Sequence, residues 1–297
     1  MTRIVGSLSP AAAGAAFMVV AGALFGLINT LLQYGTMVHG IAPSTLAFWQ
    51  YLIALLFSLP WLRAQGPGAL RTRAPGWHLL RVVFAAAGVQ LWVTGLAHVP
   101  VWQAIALIML SPIFVTIGAT QFLGERASVQ RWTAVAVGLA GGMVILAPWS
   151  DGFRLHALLP VAAAAFWAAN SVVTKRMTRT ESPESLTVYL LLLLTPVNAA
   201  VTWGEGFGLN FGLAGALLVC VGVLTAMAQY AIARAYSLAD AAFLQPFDNV
   251  KLLFNVGLGA AVFGYFPPGS LWIGAAMIIG ASSWLLSQES GPVRRPA

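Results

Sequence analysis

Charged residues are scarce in this sequence. Asp, Glu, Lys and Arg make up 8% of the 297 residues, hydrophobic residues make up 59%, and the mean hydropathy is +0.84. Because soluble domains carry about a quarter charged residues, this composition excludes an ordinary water-soluble domain. Apolar stretches long enough to cross a hydrocarbon core of about 30 Å recur from end to end. The sequence therefore predicts an all-α integral membrane protein.

Cysteine and the common catalytic motifs are also missing or nearly so. Cys220 is the single cysteine, so no disulfide can form within the chain, and its apolar neighbours predict a small buried residue. The sequence has no HExxH, GxSxG or P-loop motif, which argues against metal-dependent hydrolysis, serine chemistry and ATP-driven pumping. The net charge of +7 comes from no long basic tract, so nucleic acid is not expected as a partner. We expect no enzyme, no metal and no cofactor.

Breaks at glycine, proline and charged residues divide the chain into ten predicted transmembrane helices. Each segment between the breaks is apolar and close to the length that a bilayer requires. The predicted spans are 12–34, 42–62, 79–97, 101–122, 129–147, 155–174, 185–203, 212–233, 240–263 and 268–287.

The positive residues predict the orientation of these spans. If both termini are cytoplasmic, 13 of the 15 Lys and Arg residues lie on the cytoplasmic side, with Arg154 alone outside and Lys251 inside the ninth span. Positive loop residues are retained on the cytoplasmic side of membranes. The charge distribution therefore favours ten spans with both termini in the cytoplasm.

An internal repeat divides the ten spans into two sets of five. Residues 23–30 (ALFGLINT) in the first span resemble residues 164–171 (AAFWAANS) in the sixth, at an offset of 141, and residues 131–134 weakly resemble 271–274. Because each copy has an odd number of spans, the second copy enters the membrane from the opposite side. Inverted repeats of this kind are typical of secondary transporters that work by alternating access. We predict one repeat over 11–148, a second over 154–287, and a cytoplasmic tail over 288–297.

Matching faces of the first and sixth spans carry small and polar side chains. Residues at helical spacing share one face of the first span, and the offset of 141 gives the corresponding face of the sixth. An unsatisfied amide in hydrocarbon is costly, so the amides must face protein or water. Helix packing and substrate binding both remain open as their role. The two faces are Gly22, Gly26, Asn29 and Gln33, and Ala163, Trp167, Asn170 and Thr174.

The ninth span carries the most polar face of the chain, formed by residues 245–255. Asp248 is the only acid well inside any span, and intramembrane ionisable groups commonly mark a functional site. Three interpretations remain open. Asp248 and Lys251 can neutralise each other at i, i+3, they can bind the ammonium and carboxylate of an amino acid, or Asp248 can carry a coupling proton.

Prolines and aromatic residues extend the list of candidates. Pro112 and Pro246 interrupt the fourth span of each half, where a broken helix can either expose backbone groups to a ligand or simply kink. Trp167 is the best aromatic candidate because it shares the face of Asn170. The predicted substrate-binding residues are Asn29, Gln33, Gln90, Trp102, Trp167, Asn170, Tyr230, Gln245, Asp248, Lys251 and Asn255.

A known family matches several of these segments. Residues 110–115 (LSPIFV), residues 122–126 (FLGER) and the glycine-rich helix after Trp132 resemble the end of an EamA domain of the drug/metabolite transporter superfamily. The second half is similar in layout, with 233–236 (ARAY) leading into 245–248 (QPFD), but Gly264-Tyr265 replaces the expected Gly-Glu. The resemblance covers the whole chain as two EamA domains, and within the family it points to bacterial inner-membrane exporters of the YddG type.

That resemblance implies a secondary transporter that exports aromatic and other amino acids. It also implies that spans one, three, four, six, eight and nine surround a central cavity. The partners expected are a small-molecule substrate and membrane lipid, and a monomer is compatible with the sequence. A multidrug or nucleotide-metabolite carrier of the same fold is the main alternative. A lipid-modifying membrane enzyme would need clustered acid, His or Ser residues at one interface, which the sequence lacks.

Overall fold

A computed structural model describes residues 10–65, 72, 74–122, 129–147, 149–150, 153–204, 206–208, 212–239, 244, 247–248 and 250–289. Within these ranges the regular secondary structure is entirely helical, as the apolar runs predict. The helices are α1 (Pro10–Met37), α2 (Pro43–Gln65), α3 (Pro75–Leu96), α4 (Val101–Ile108), α5 (Ser111–Phe122), α6 (Val129–Leu146), α7 (Leu158–Met177), α8 (Pro183–Thr202), α9 (Leu213–Leu238), α10 (Lys251–Phe263) and α11 (Gly269–Glu289).

Some of these helices are long and apolar enough to cross a membrane. Among the described residues, five helical segments are long and apolar enough to cross a membrane, and four further apolar segments are shorter. The five are Pro10–Met37, Pro75–Leu96, Leu155–Met177, Pro183–Thr202 and Ala214–Leu238. The four are Val101–Val115, Trp132–Leu146, Lys251–Phe263 and Gly269–Ala281.

One predicted span differs from the observed helices, and a second lies partly outside the described residues. The predicted span 101–122 is broken at Met109 and Leu110 into α4 and α5. Pro112 is the second residue of α5, a position that tolerates proline because its backbone N–H has no partner within the helix. The predicted span 240–263 is represented by α10 from Lys251 onward, and Gln245, Pro246 and Asn249 lie outside the described residues.

The packing of the helices reflects the two related halves. The pairs α1–α9 and α3–α7 are both extensively packed, and exchanging the halves converts one pair into the other. The pairs α2–α8 and α6–α11 also pack, and each maps onto itself under the same exchange. The packing therefore agrees with the repeat at an offset of 141.

Close approach at α6 and α11 depends on glycine. A Cβ atom on Gly141 would lie 2.7 Å from the backbone oxygen of Gly274, and a Cβ on Gly274 would lie 2.6 Å from the backbone oxygen of Gly141. Such distances are too short for any side chain, and small residues at crossing points are typical of helices packed in membranes.

The prediction that Cys220 is buried is wrong. Its side chain is exposed on the surface of α9. In a membrane bundle the surface that faces lipid is as apolar as the interior, so an apolar neighbourhood does not distinguish the two.

Candidate functional site

Asn29 lies at the centre of a buried hydrogen-bond network that joins three helices. The indole Nε1 of Trp92 on α3 donates to Asn29 Oδ1 at 3.1 Å. Asn29 Nδ2 donates to Asn255 Oδ1 on α10, also at 3.1 Å. Asn255 Nδ2 in turn donates to the backbone oxygen of Lys251 at 2.7 Å. Since all three side chains are buried, this asparagine network ties α1 to α3 and α10.

Gln33, one turn further along α1, holds the connection between α3 and α4. Its Nε2 donates to the backbone oxygens of Leu96 at 3.2 Å and Val99 at 3.1 Å, and its Oε1 accepts from the backbone N–H of Val101 at 3.3 Å. Leu96 and Val101 are at helix ends, where backbone groups lack partners within their own helices, and Val99 lies in the connection between them. We call this end of the bundle, where residues 97–100 connect α3 to α4, the His98 end. Substrate binding by Gln33 stays a prediction, and it would require these bonds to break.

Two tryptophans meet beside the asparagine network. The rings of Trp92 and Trp167 are 5.5 Å apart between centroids and inclined at 50°. Trp167 projects from α7 onto Gly88 of α3, where an added Cβ would lie 2.5 Å from the indole. Gly88 therefore provides the space for Trp167, which is only half-buried.

The pairing of α3 with α7 follows a seven-residue register. Gly95 faces Pro160, Gly88 faces Trp167, and Arg81 faces Thr174, whose Oγ1 accepts from Arg81 Nε at 2.8 Å. A register of seven keeps one face of each helix against its neighbour. The sequence carries this signal as glycines seven residues apart in α3, which sequence reasoning missed together with the roles of Trp92 and Gly88.

Asn170 matches Asn29 in the repeat, but its surroundings differ. Its side-chain Oδ1 is buried, and within the described part of the chain it has no hydrogen-bond partner. Its backbone oxygen accepts from Thr174 Oγ1 at 2.7 Å. Buried acceptors are normally hydrogen-bonded, so the unpaired oxygen distinguishes Asn170 from Asn29.

Asp248 and Lys251 form the ion pair that the sequence offered as one interpretation. Lys251 Nζ lies 2.5 Å from Asp248 Oδ2, and the two side chains are 16% and 23% exposed respectively. Gly22 of α1 faces the backbone of Lys251, and Gly26 faces Phe254, whose Cβ would lie 2.9 Å from an added Cβ. The two glycines therefore allow close packing, and they place α1 directly against the beginning of α10.

The other predicted site residues are more scattered. Gln90 Nε2 donates to Asn198 Oδ1 on α8 at 2.8 Å, which makes Asn198 a partner that sequence reasoning missed. Trp102 is half-buried against the hydrophobic core at the start of α4. Tyr230 is 39% exposed and lies near Glu184 of α8.

Arg81 is buried although the charge distribution assigns it to the cytoplasmic loops. Besides Thr174, its Nη1 donates to the backbone oxygen of Leu186 at 2.6 Å, and only 4% of its surface is exposed. These bonds join α3, α7 and α8 away from the His98 end. A buried guanidinium needs such partners to offset its lost hydration.

A helical bundle with two related halves and buried polar groups between them is typical of membrane transporters. The EamA-like transporter family matches residues 12–147 and 154–287. The chain belongs to the EamA-like transporter family. It is a multi-pass membrane transporter and not an enzyme.

Individual proteins resemble the chain over nearly its full length. It is 50% identical to a riboflavin transporter of Rhizobium johnstonii, over 97% of this chain and 96% of that one. It is 46% identical to a riboflavin transporter of Vibrio cholerae, over 95% of each chain. One solved crystal structure superimposes with a TM-score of 0.63 at 19% identity, over 91% of this chain and 99% of the other. That last likeness concerns the fold alone.

Proposed function

We propose that this transporter carries riboflavin or a closely related flavin. The observation that carries the proposal is the identity of 50% and 46% to two riboflavin transporters over at least 95% of this chain. Fold alone does not determine a substrate, so the side chains at the site must also suit a flavin.

The aromatic pair suits the flavin ring system. Isoalloxazine is flat and aromatic, and such rings stack on indole or meet it edge to face. Trp167 is only partly buried, and Gly88 provides the space for its indole. Asn170 lies one turn along the same helix, and its unpaired but buried Oδ1 is an acceptor of the kind that the imide N–H on the polar edge of the flavin requires.

The charges at the site also suit a neutral substrate. Asp248 and Lys251 already neutralise each other, so the site offers no net charge, and riboflavin carries none at neutral pH. An ammonium or a carboxylate from a ligand would have to compete with a close ion pair. Such exchange is costly in a partly buried setting.

Amino-acid export, expected from the family resemblance, is the second candidate. The observation in its favour is the presence of both an acid and an amine, Asp248 and Lys251, at one point of the bundle. A zwitterion requires one group of each sign, so the two candidates differ in whether these charges contact the substrate.

Transport by purified protein in proteoliposomes tests the proposal. We expect saturable uptake of radiolabelled riboflavin, and release from preloaded vesicles tests export. Labelled tryptophan and phenylalanine serve as the competing substrates. Transport of the amino acids without riboflavin would contradict the proposal.

Two glycine-to-alanine variants on α3 test in the same assay whether Trp167 takes part in transport. Gly88→Ala forces the Trp167 ring to move, so we expect riboflavin transport to fall by about fivefold or more, since small misplacements at a binding site have large effects. Gly76→Ala is the control, because nothing lies within 4 Å of an added Cβ there. Equal activity of the two variants would remove Trp167 from the site.

A double substitution that removes both charges of the Asp248–Lys251 pair tests whether these charges bind the substrate. Asp248→Asn leaves Lys251 without its counter-charge, and we expect transport to fall by about tenfold. The double variant Asp248→Asn, Lys251→Met restores neutrality, so riboflavin transport is expected to recover most of that loss. A double variant as inactive as the single one would instead assign the charges to substrate or proton binding.

We also propose that the chain crosses the bacterial inner membrane ten times, as two inverted halves with both termini cytoplasmic. The exchange symmetry of the packing and the distribution of Lys and Arg support this arrangement. Green fluorescent protein fused after Ala297 is expected to fluoresce. The same reporter fused after Ser150 would be exported from the cytoplasm and is expected to stay dark. A dark fusion at Ala297 would contradict the topology.

A further inference from the structure

An exposed cation stacks on an aromatic ring where the start of α3 meets the end of α7. The guanidinium carbon of Arg176 on α7 lies 4.4 Å from the centre of the Trp77 ring on α3, a distance at which a guanidinium is attracted to the face of an indole. Trp77 is 37% exposed, and Arg176 is exposed as well. Because stacking uses the flat face of the guanidinium and not its N–H groups, these donors remain for another partner.

The charge around Arg176 is mainly positive. Lys175 precedes it, and Arg179 follows within one turn and is exposed. Within the described ranges, neither Arg176 nor Arg179 has an ion-pair partner. The first turn of α3, beside Arg176, contains no acidic residue.

The acids that follow this segment along the chain have other partners. Glu181 is 9% exposed, and its carboxylate accepts hydrogen bonds from Thr72 Oγ1 at 2.6 Å and from Ser185 Oγ at 3.3 Å. Glu184 lies near Tyr230 of α9. The end of α7 therefore carries positive charge that attracts an anion to the surface.

An apolar surface, which we call the α3–α7 seam, extends from this cation along the two helices. Trp77, Leu80 and Phe84 share one face of α3 at spacings of three and four residues, and Phe84 meets Phe166 of α7 with the ring centroids 6.4 Å apart. Leu80 is 39% exposed and Phe166 is 37% exposed. From Trp77 to Phe84 the seam is about 10 Å long, at 1.5 Å per residue. A cation followed by exposed apolar side chains suits a molecule with an anionic head and an apolar chain.

We propose that the α3–α7 seam binds an anionic phospholipid, with the lipid phosphate at Arg176 and one acyl chain along Leu80 toward Phe166. A free phosphate would use the cation but not the seam, and a neutral lipid would use the seam but not the cation. Basic residues near a membrane surface attract anionic headgroups, and tryptophan is enriched at the headgroup level. Both features are present at Trp77 and Arg176.

The distribution of Lys and Arg assigns the end of α7 to the cytoplasmic side, so the lipid belongs to the cytoplasmic leaflet. This choice of leaflet rests on the proposed topology. Lipid binding in detergent solution depends neither on the topology nor on the substrate, so each of these proposals can fail without the others.

Native mass spectrometry of the purified protein tests the lipid site. The protein in detergent is titrated with phosphatidylglycerol or with phosphatidylcholine of the same acyl chains, and the dissociation constant of the first bound lipid is measured. We expect phosphatidylglycerol to bind about fivefold more tightly, because only its headgroup carries a net negative charge. Glycerol phosphate, which has the charge but no acyl chain, is expected not to displace it at equal concentration.

Substitutions of exposed arginines locate the bound lipid. Arg176→Gln is expected to weaken phosphatidylglycerol binding about fivefold and to leave phosphatidylcholine binding unchanged. Arg154→Gln is the matched control, because it removes an exposed arginine that the charge distribution assigns to the other side of the membrane. Arg176→Lys keeps the charge but not the planar stacking on Trp77, so its affinity is expected to lie between those of the parent and Arg176→Gln.

Three results would overturn the proposal. Equal binding of the two lipids by the parent protein would show that the headgroup charge is not recognised. Equal weakening by Arg176→Gln and Arg154→Gln would show a general effect of net charge. Displacement of the lipid by an equal concentration of glycerol phosphate would show an anion site that does not use the seam. Gel filtration verifies that each variant compared is folded and monodisperse.

Discussion

The bundle depends on the requirement that an amide inside a membrane must be satisfied by protein. Water is absent from the hydrocarbon core, so a polar side chain there has to find its partners within the protein. Asn29 meets this requirement with a donor on α3 and an acceptor on α10. The positions of three helices are thereby linked to the hydrogen bonds of one side chain.

Glycine makes these polar contacts geometrically possible. Gly22 and Gly26 bring α1 against the beginning of α10, where the ion pair of Asp248 and Lys251 lies, and Gly88 makes room for the ring of Trp167. Without a strong hydrophobic force between helices in lipid, close packing and a few hydrogen bonds carry helix association. The groups that hold the helices together are thus neighbours of those proposed to bind substrate.

Sequence patterns predicted much of the helical layout because length and apolarity are local properties. They also identified Asn29 and Asn255 as facing the interior, since their spacing is helical. They could not identify partners: Gln33 bonds backbone groups of Leu96, Val99 and Val101, and backbone groups leave no trace in residue type. The contact of Trp92 with Asn29 spans 63 positions and likewise has no local signal. Cys220 shows a further limit, because lipid-facing and buried surfaces are equally apolar.

The class of substrate is hardest to read from pattern alone. Asp248 and Lys251 suggest a zwitterion as residue types, but their contact with each other changes the electrostatics of the site to that of a neutral surface. The similarity to riboflavin transporters then favours a ligand recognised through its ring. Riboflavin and amino acids are therefore distinguished by whether Asp248 and Lys251 bind each other or the substrate, and not by the presence of the two residue types.

An experimental structure of the protein determined with riboflavin tests the central claim most directly. The account predicts density for the flavin ring against Trp167, between α3, α7 and the beginning of α10, with Asn170 near the polar edge of the ring. Flavin density elsewhere on the bundle, or an amino acid in that position instead, would contradict it.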